Sequence, residues 1–168
     1  MVFSATAVAN DFLKIARAEG ETLTSMKLQK LVYYAHGWSL ALANEPLISN
    51  RIEAWDYGPV IPDLYQAFKK YGTEAITELA HKVTVRGGKL SLTTPTLEDS
   101  PESAERTGAQ QIIKRVWELY GGFTAAKLSN ATHAPGTPWA QVYRPGQRSI
   151  LIPNPIIKAY FEGLAHAQ

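Results

Sequence analysis

The sequence contains no cysteine among its 168 residues. This absence excludes disulfide bonds, thiolate zinc sites and cysteine nucleophiles, and it is compatible with a reducing compartment. No apolar run approaches the roughly 20 residues that a membrane-spanning helix needs, and the N-terminus shows no basic segment ahead of an apolar core. We therefore expect a soluble, cytoplasmic protein that does not act at a membrane.

Clusters of one charge are also missing. The 17 basic and 15 acidic residues give a formal net charge of only +2, and the basic residues are scattered along the chain. A nucleic-acid-binding protein usually concentrates its positive charge on one face, so this pattern argues against a nucleic-acid partner.

Common catalytic and metal-binding motifs are absent as well. The sequence has no phosphate-binding glycine loop, no His-Glu-x-x-His, no Gly-x-Ser-x-Gly and no calcium loop. Its four histidines, His36, His81, His133 and His166, are too widely separated in sequence to indicate a metal site. We predict no metal, no cofactor and no catalytic residue.

Apolar residues, at 45% of the chain, are sufficient for one globular core. The stretch from about Ser25 to Leu42 is the most apolar one with helical periodicity, because Leu28, Leu31, Val32 and Ala35 recur at the spacing of one helix face. Its other faces also carry large side chains. We predict a central helix, capped by Ser25, with the other helices packed around it.

Shorter elements are predicted around this helix. A strand near Ile52 to Asp56 leads into a turn at residues 57–60 and a helix that begins at Pro62. The predicted buried side of that helix carries Leu64, Tyr65, Phe68 and Tyr71. Residues near Val83 to Leu92 indicate a β-hairpin that turns at two glycines. Further helices are predicted near residues 4–20, 100–120, 124–132 and 154–164. The expected fold is mainly α, a compact single-domain helical bundle over residues 1–168 with a small β element.

Two groups of residues combine candidate chemistry with a simpler structural interpretation. His36, beside Tyr33 and Gln29 on the central helix, is the residue type of a general base, but a hydrogen-bonded helix histidine is the favoured interpretation. Residues 55–60 could hold an anion where a helix begins, but a structural turn is favoured there.

A third group, residues 128–133 followed by Pro138 and Trp139, lies at a helix end next to a loop. Such a loop can carry a binding site. Alternatively, the helix end satisfies its own backbone groups while Trp139 fills the core. The sequence leaves both interpretations open.

Taken together, three blocks of residues resemble a known family, the Panacea domain of SocA-like antitoxins and GepA-like phage-associated proteins. The resemblance extends from about Ala5 to Phe161. The family-motif residues are Lys27, Gln29, Lys30, Tyr33, His36 and Trp38 in the first block, Asp56, Gly58, Pro59 and Val60 in the second, and Thr132, His133 and Trp139 in the third.

The resemblance implies a helical, non-enzymatic antitoxin of a toxin–antitoxin system. Such a protein would bind a cognate toxin encoded by an adjacent gene and neutralise it directly. The shared motif would maintain the scaffold, and toxin specificity would lie on variable surface such as Gly72 to Pro101. We predict Tyr34, Trp55 and Tyr57 as partner contacts, since large aromatic residues often anchor protein interfaces.

Three alternatives remain. The protein could be a phage-associated or protease-adaptor binding protein, which differs from an antitoxin only in the fate of the partner after binding. Exposed aromatic surface would also be compatible with a homodimer. A small hydrolase-like enzyme is the alternative of a different class, and it requires His36, Asp56 and His133 to converge in one pocket.

Overall fold

The computed structural model describes residues 1–167, which form seven α-helices and two small antiparallel sheets. The mainly α prediction is confirmed. None of the helices in the described residues is both long and apolar enough to span a membrane. The helices are α1 (Ala5–Ala18), α2 (Ser25–Leu42), α3 (Pro62–Phe68), α4 (Ala104–Tyr120), α5 (Ala125–Thr132), α6 (Pro138–Val142) and α7 (Asn154–His166). The strands are β1 (Glu53–Trp55), paired with β2 (Gly58–Val60), and β3 (Lys82–Arg86), paired with β4 (Lys89–Thr93).

Helix α2 is the central helix, as the sequence predicted. Helices α1, α4, α5 and α7 all contact it, and its residues are buried from Leu28 to Leu40. The predicted cap was wrong by one residue. Thr24 is the N-cap in extended backbone, and its Oγ1 accepts a hydrogen bond from the Lys27 N–H at 3.3 Å, whereas Ser25 is already helical.

Helix α7 packs closely against α2 at Gly37. The ring of Phe161 occupies the space that a side chain at this position would need, because a Cβ on Gly37 would lie 2.2 Å from Phe161 Cε2. The same ring makes edge-to-face contacts with Tyr33 and Trp38, at centroid distances of 5.8 Å and 5.2 Å. This glycine therefore sets the distance between the two helices.

The second motif block differs from the prediction. Residues 58–60 were expected to be a turn, but they form strand β2, and the chain reverses at Asp56 and Tyr57 instead. The helix that begins at Pro62 is present. Leu64 and Phe68 are buried as predicted, whereas Tyr65 is exposed and Tyr71 only partly buried. The buried side of the short helix α3 holds Leu64 and Phe68, which are four residues apart, and Tyr65 lies outside that side.

The second hairpin, β3–β4, forms at the two glycines as predicted. Gly87 and Gly88 have φ values of +56° and +76°, which residues with a side chain rarely adopt. Of the ten strand residues only Thr84 is even partly buried. Helix α4 then begins at Ala104 with Ser103 as its cap, later than the predicted start near residue 100.

Candidate protein-interaction surfaces

The three motif blocks, far apart in sequence, meet around the β1–β2 hairpin. Gln29 on α2 makes two hydrogen bonds to the backbone of Ile61. Its Nε2 donates to the Ile61 carbonyl at 3.0 Å, and its Oε1 accepts from the Ile61 N–H at 2.9 Å. The segment that joins β2 to α3 is thereby held on α2.

Lys30 holds the same hairpin one residue further along α2. Its side chain is only 2% exposed, and Nζ donates to the carbonyl of Pro59 at 2.9 Å. Burial lowers the pKa of Lys30 to about 7. Gly58 leaves room for the amine: its φ is +110°, and a Cβ there would lie 2.9 Å from both Lys30 Nζ and Thr132 Oγ1.

The third block holds the hairpin from the other side. Ser129 Oγ on α5 donates to the Tyr57 carbonyl at 2.8 Å, and Trp139 Nε1 on α6 donates to the Trp55 carbonyl at 2.5 Å. The buried Thr132 hydroxyl donates to the carbonyl of Ser129 at 2.8 Å. For this block the geometry favours the structural interpretation, because these side chains satisfy backbone groups at a helix end and in the hairpin.

His36 is a hydrogen-bonded helix histidine, in agreement with the favoured interpretation. The Ile48 N–H donates to Nδ1 at 3.4 Å, so Nε2 carries the proton and donates to Asn154 Oδ1 at 2.8 Å. Burial lowers the pKa of His36, which keeps the ring neutral at pH 7. The histidine therefore connects α2 to the first residue of α7.

The remaining motif side chains on α2 also face inward. Lys27 Nζ donates to the Gly121 carbonyl at the end of α4, at 2.5 Å, and Trp38 Nε1 donates to the Tyr120 hydroxyl at 3.2 Å. The Tyr33 hydroxyl is buried, and no hydrogen-bond partner for it is found within residues 1–167. The side chains of the first block therefore serve mainly to pack α2 against the other helices.

The hydrolase-like alternative required His36, Asp56 and His133 to converge, but each of the three has a different partner in the structure. His36 pairs with Asn154, Asp56 accepts a hydrogen bond from the Tyr143 hydroxyl at 2.7 Å, and His133 meets the edge of the Trp139 ring at 5.4 Å. No hydrogen bond within residues 1–167 joins any two of the three. The described residues also contain no group of His, Asp or Glu placed to hold a metal ion.

An open groove of about 320 Å³, here called the motif groove, lies beside the first hairpin. Trp55 and Tyr65 meet edge to face at 5.0 Å on its wall, and the Arg148 guanidinium lies 4.9 Å from the Trp55 ring. Tyr57, which is 71% exposed, stands at its rim. The buried lining residues include Gln29 and Lys30.

Of the three predicted partner contacts, Trp55 and Tyr57 line this groove, but Tyr34 does not. Tyr34 is buried and stacks on Tyr120 at a centroid distance of 4.3 Å, so its prediction as a surface contact was wrong. Sequence reasoning missed Tyr65 and Arg148. Tyr65 was assigned to the core, and no local pattern connects Arg148 to residues almost one hundred positions earlier.

A second candidate surface is one face of the β3–β4 hairpin. The strand register pairs Val83 with Leu92 and Val85 with Leu90, which places all four side chains on the same face. We call it the apolar hairpin face, and its residues are 60% to 77% exposed. The opposite face is polar and carries three cations with no acidic residue: Lys82, Thr84, Arg86, Lys89, Ser91 and Thr93.

The described residues thus form a helical domain with an inward-facing motif, an open groove and an exposed apolar hairpin face. Comparison with known sequences gives its family. The family described as "Antitoxin SocA-like, Panacea domain" matches residues 28–140, two thirds of the chain, and we conclude that the chain belongs to this family. The Antitoxin SocA of Caulobacter vibrioides (strain NA1000 / CB15N) is 33% identical over 135 residues, which cover 80% of this chain and 68% of that protein. No solved structure matches the chain.

Proposed function

We propose that this protein is an antitoxin that neutralises a cognate toxin by binding it directly, without catalysis, and that the apolar hairpin face is a principal contact. Family membership and the relative named Antitoxin SocA support the antitoxin role. The observation that carries direct binding is the hairpin itself.

A two-stranded hairpin has little stability of its own in water. This one exposes four branched aliphatic side chains on a single face, Val83, Val85, Leu90 and Leu92. Contiguous exposed apolar surface of this kind marks protein interaction sites in soluble proteins. A partner that covers the face would remove the apolar side chains from water and stabilise the hairpin at the same time.

Charge disfavours edge-to-edge pairing of this hairpin with a second copy of the chain. If two copies paired their hairpins edge to edge, the face with Lys82, Arg86 and Lys89 would meet the same cations across the strands, and like charges in that position are destabilising. A toxin segment in which apolar and acidic residues alternate would match both faces. We therefore infer that the toxin supplies an acidic, amphipathic segment.

The test is co-expression with the adjacent reading frame, followed by growth measurement and pull-down. We expect the neighbour alone to stop growth, and the pair to grow and co-purify. Rescue without a complex, or a toxic neighbour that is neither rescued nor bound, would contradict the proposal.

Leu90→Asn and Ser91→Asn form a matched pair on opposite faces of the same strand. We expect Leu90→Asn to weaken toxin binding about tenfold or more, because it places an amide in the apolar contact, and Ser91→Asn to leave the affinity nearly unchanged. Equal effects would show that the apolar face is not the contact. If light scattering shows a dimer of the protein alone that Leu90→Asn dissociates, the face serves self-association instead.

A further inference from the structure

Lys30 is a buried amine without an anionic partner. Its side chain is 2% exposed, and the single hydrogen bond to the Pro59 carbonyl uses one of the three N–H donors that the protonated amine has. No carboxylate of residues 1–167 forms an ion pair with it. A buried ammonium group is normally paired with an anion, and for Lys30 that anion would have to come from another molecule.

The surroundings of Lys30 point to a ligand. The residue lines the motif groove, which is open to solvent and large enough, at about 320 Å³, for a side chain of another molecule. The one acidic residue of the groove, Asp56, is directed to the Tyr143 hydroxyl. Arg148, the other cation of the groove, lies over Trp55 and is free of an ion pair within the described residues.

We propose that the motif groove is a carboxylate-binding site, in which Lys30 receives an acidic side chain of the toxin between the aromatic walls formed by Trp55, Tyr57 and Tyr65. The identity of the ligand as toxin rests on the function proposed above, but the carboxylate site itself does not. The aromatic rings would cover the aliphatic part of the ligand, and Arg148 would add a second cation at the mouth.

A carboxylate fits this site better than a nucleic-acid phosphate. Nucleic-acid binding depends on several cations that follow the backbone, whereas this groove offers only two basic side chains, one of them buried. The loss of water around Lys30, which lowers its pKa, also means that an anion bound there would pair with the amine in a poorly screened environment.

Phenylacetate is a suitable probe, because it joins a carboxylate to an aromatic ring that is small enough for the groove. Titration into the isotope-labelled protein, followed by NMR, should shift the Trp55 indole signal and the amide signals of residues 55–60. The neutral analogue phenylacetamide should cause much smaller shifts at the same concentrations. This comparison uses the unaltered protein, so it does not depend on whether a variant folds.

Lys30→Met keeps most of the side-chain stem and removes the charge, and it should abolish the phenylacetate shifts. Lys127→Met, at an exposed position of α5 outside the groove, is the control and should leave them unchanged. Equal shifts with phenylacetamide, or shifts that survive Lys30→Met, would overturn the proposal. Benzylphosphonate bound in preference to phenylacetate would also overturn it, in favour of a phosphate site.

The toxin provides the second readout. We expect Lys30→Met to weaken toxin binding about tenfold or more, the effect of losing a charged hydrogen bond, and Lys127→Met to have no effect. If phenylacetate binds through Lys30 but the toxin does not bind at all, the carboxylate site is supported and the proposed function fails. If the toxin binds and Lys30→Met does not weaken that binding, the proposal that a toxin carboxylate occupies the site is overturned, while the proposed function stands.

Discussion

The protein contains two antiparallel hairpins that differ in almost everything except their secondary structure. The β1–β2 hairpin is short, its strands are largely buried, and side chains of α2, α5 and α6 bind its backbone carbonyls. The β3–β4 hairpin is longer, pairs only with itself and exposes nearly every residue.

This difference suggests separate roles for the two hairpins within one small protein. The first hairpin is defined by contacts inside the chain, and they leave one buried amine at the edge of a groove. The second hairpin has no such contacts in the described residues that would explain its apolar face. The motif therefore builds the scaffold, and we propose that it also offers one polar contact point while the second hairpin supplies apolar contact area. Four predictions test this division, from the largest effect on stability to the smallest.

Gly37→Ala should cause the largest loss of stability. The added Cβ would overlap the Phe161 ring, which is itself surrounded by other aromatic residues, and overpacking of this kind costs about 3 kcal/mol of unfolding free energy. Gly163→Ala in α7 is the control, because no atom lies within 4 Å of its Cβ position, and it should stabilise by about 0.5 kcal/mol or more. Urea denaturation measures both. Similar values for the two variants would contradict close packing of α2 on α7.

Gln29→Leu should lower the unfolding free energy by about 1–3 kcal/mol, because it leaves the buried N–H and carbonyl of Ile61 without their partners. Gln111→Leu, at an exposed position of α4, should change stability by less than about 0.5 kcal/mol. Thermal unfolding of the two variants is sufficient. A small effect at Gln29 would mean that the first hairpin is not fixed by the motif.

Lys30 should make stability depend on pH. The pKa of Lys30 in the folded protein, about 7, lies below its ordinary value of 10.5, so between these values the unfolded chain holds a proton that the folded protein does not. Stability should therefore rise with pH from about 7 to 10, by at most about 1.4 kcal/mol per pH unit. Burial also lowers the pKa of Lys27, so the decisive quantity is the slope that Lys30→Met removes.

Denaturation of wild type and Lys30→Met at several pH values measures this difference. Asp11, whose pKa burial raises to about 6, acts in a separate window between about pH 4 and 6, where stability should fall as pH rises. Identical slopes above pH 7 in the two proteins would show that Lys30 is charged throughout in the folded state.

Leu90→Asn should have the smallest effect, a change of less than about 0.5 kcal/mol, although it is the variant expected to weaken toxin binding. The reason is that Leu90 is 77% exposed and contributes little to the core. Calorimetry of the unbound variant gives the value. A loss above about 2 kcal/mol would indicate that the hairpin is part of the folding core and not a free surface.

Local patterns in the sequence were sufficient to predict the long helices and the second hairpin. The limits of α2 followed from apolar spacing, and the turn of β3–β4 from two adjacent glycines. Strand β2 was missed because Gly58 and Pro59 are typical turn residues. Pairing with β1 and the hydrogen bond from Lys30 keep them extended, and no local pattern shows either contact.

The site depends even more on distant contacts. Tyr34 was predicted as a partner contact because large aromatic residues often anchor interfaces, but its contacts with Tyr120 of α4 and Phe161 of α7 bury it. The pairing of His36 with Asn154 joins residues 118 positions apart, and Arg148 reaches Trp55 across a similar gap. The sequence therefore identified several candidate residues, whereas the partners of those residues depended on the folded chain.

Hydrogen exchange of the protein with and without its toxin shows directly whether the second hairpin contacts the toxin. We predict that backbone amides of residues 82–93, which exchange quickly in the free hairpin, become protected in the complex, together with residues 55–58 at the motif groove. Unchanged exchange at residues 82–93 in a complex that does form would contradict the assignment of the second hairpin to toxin recognition.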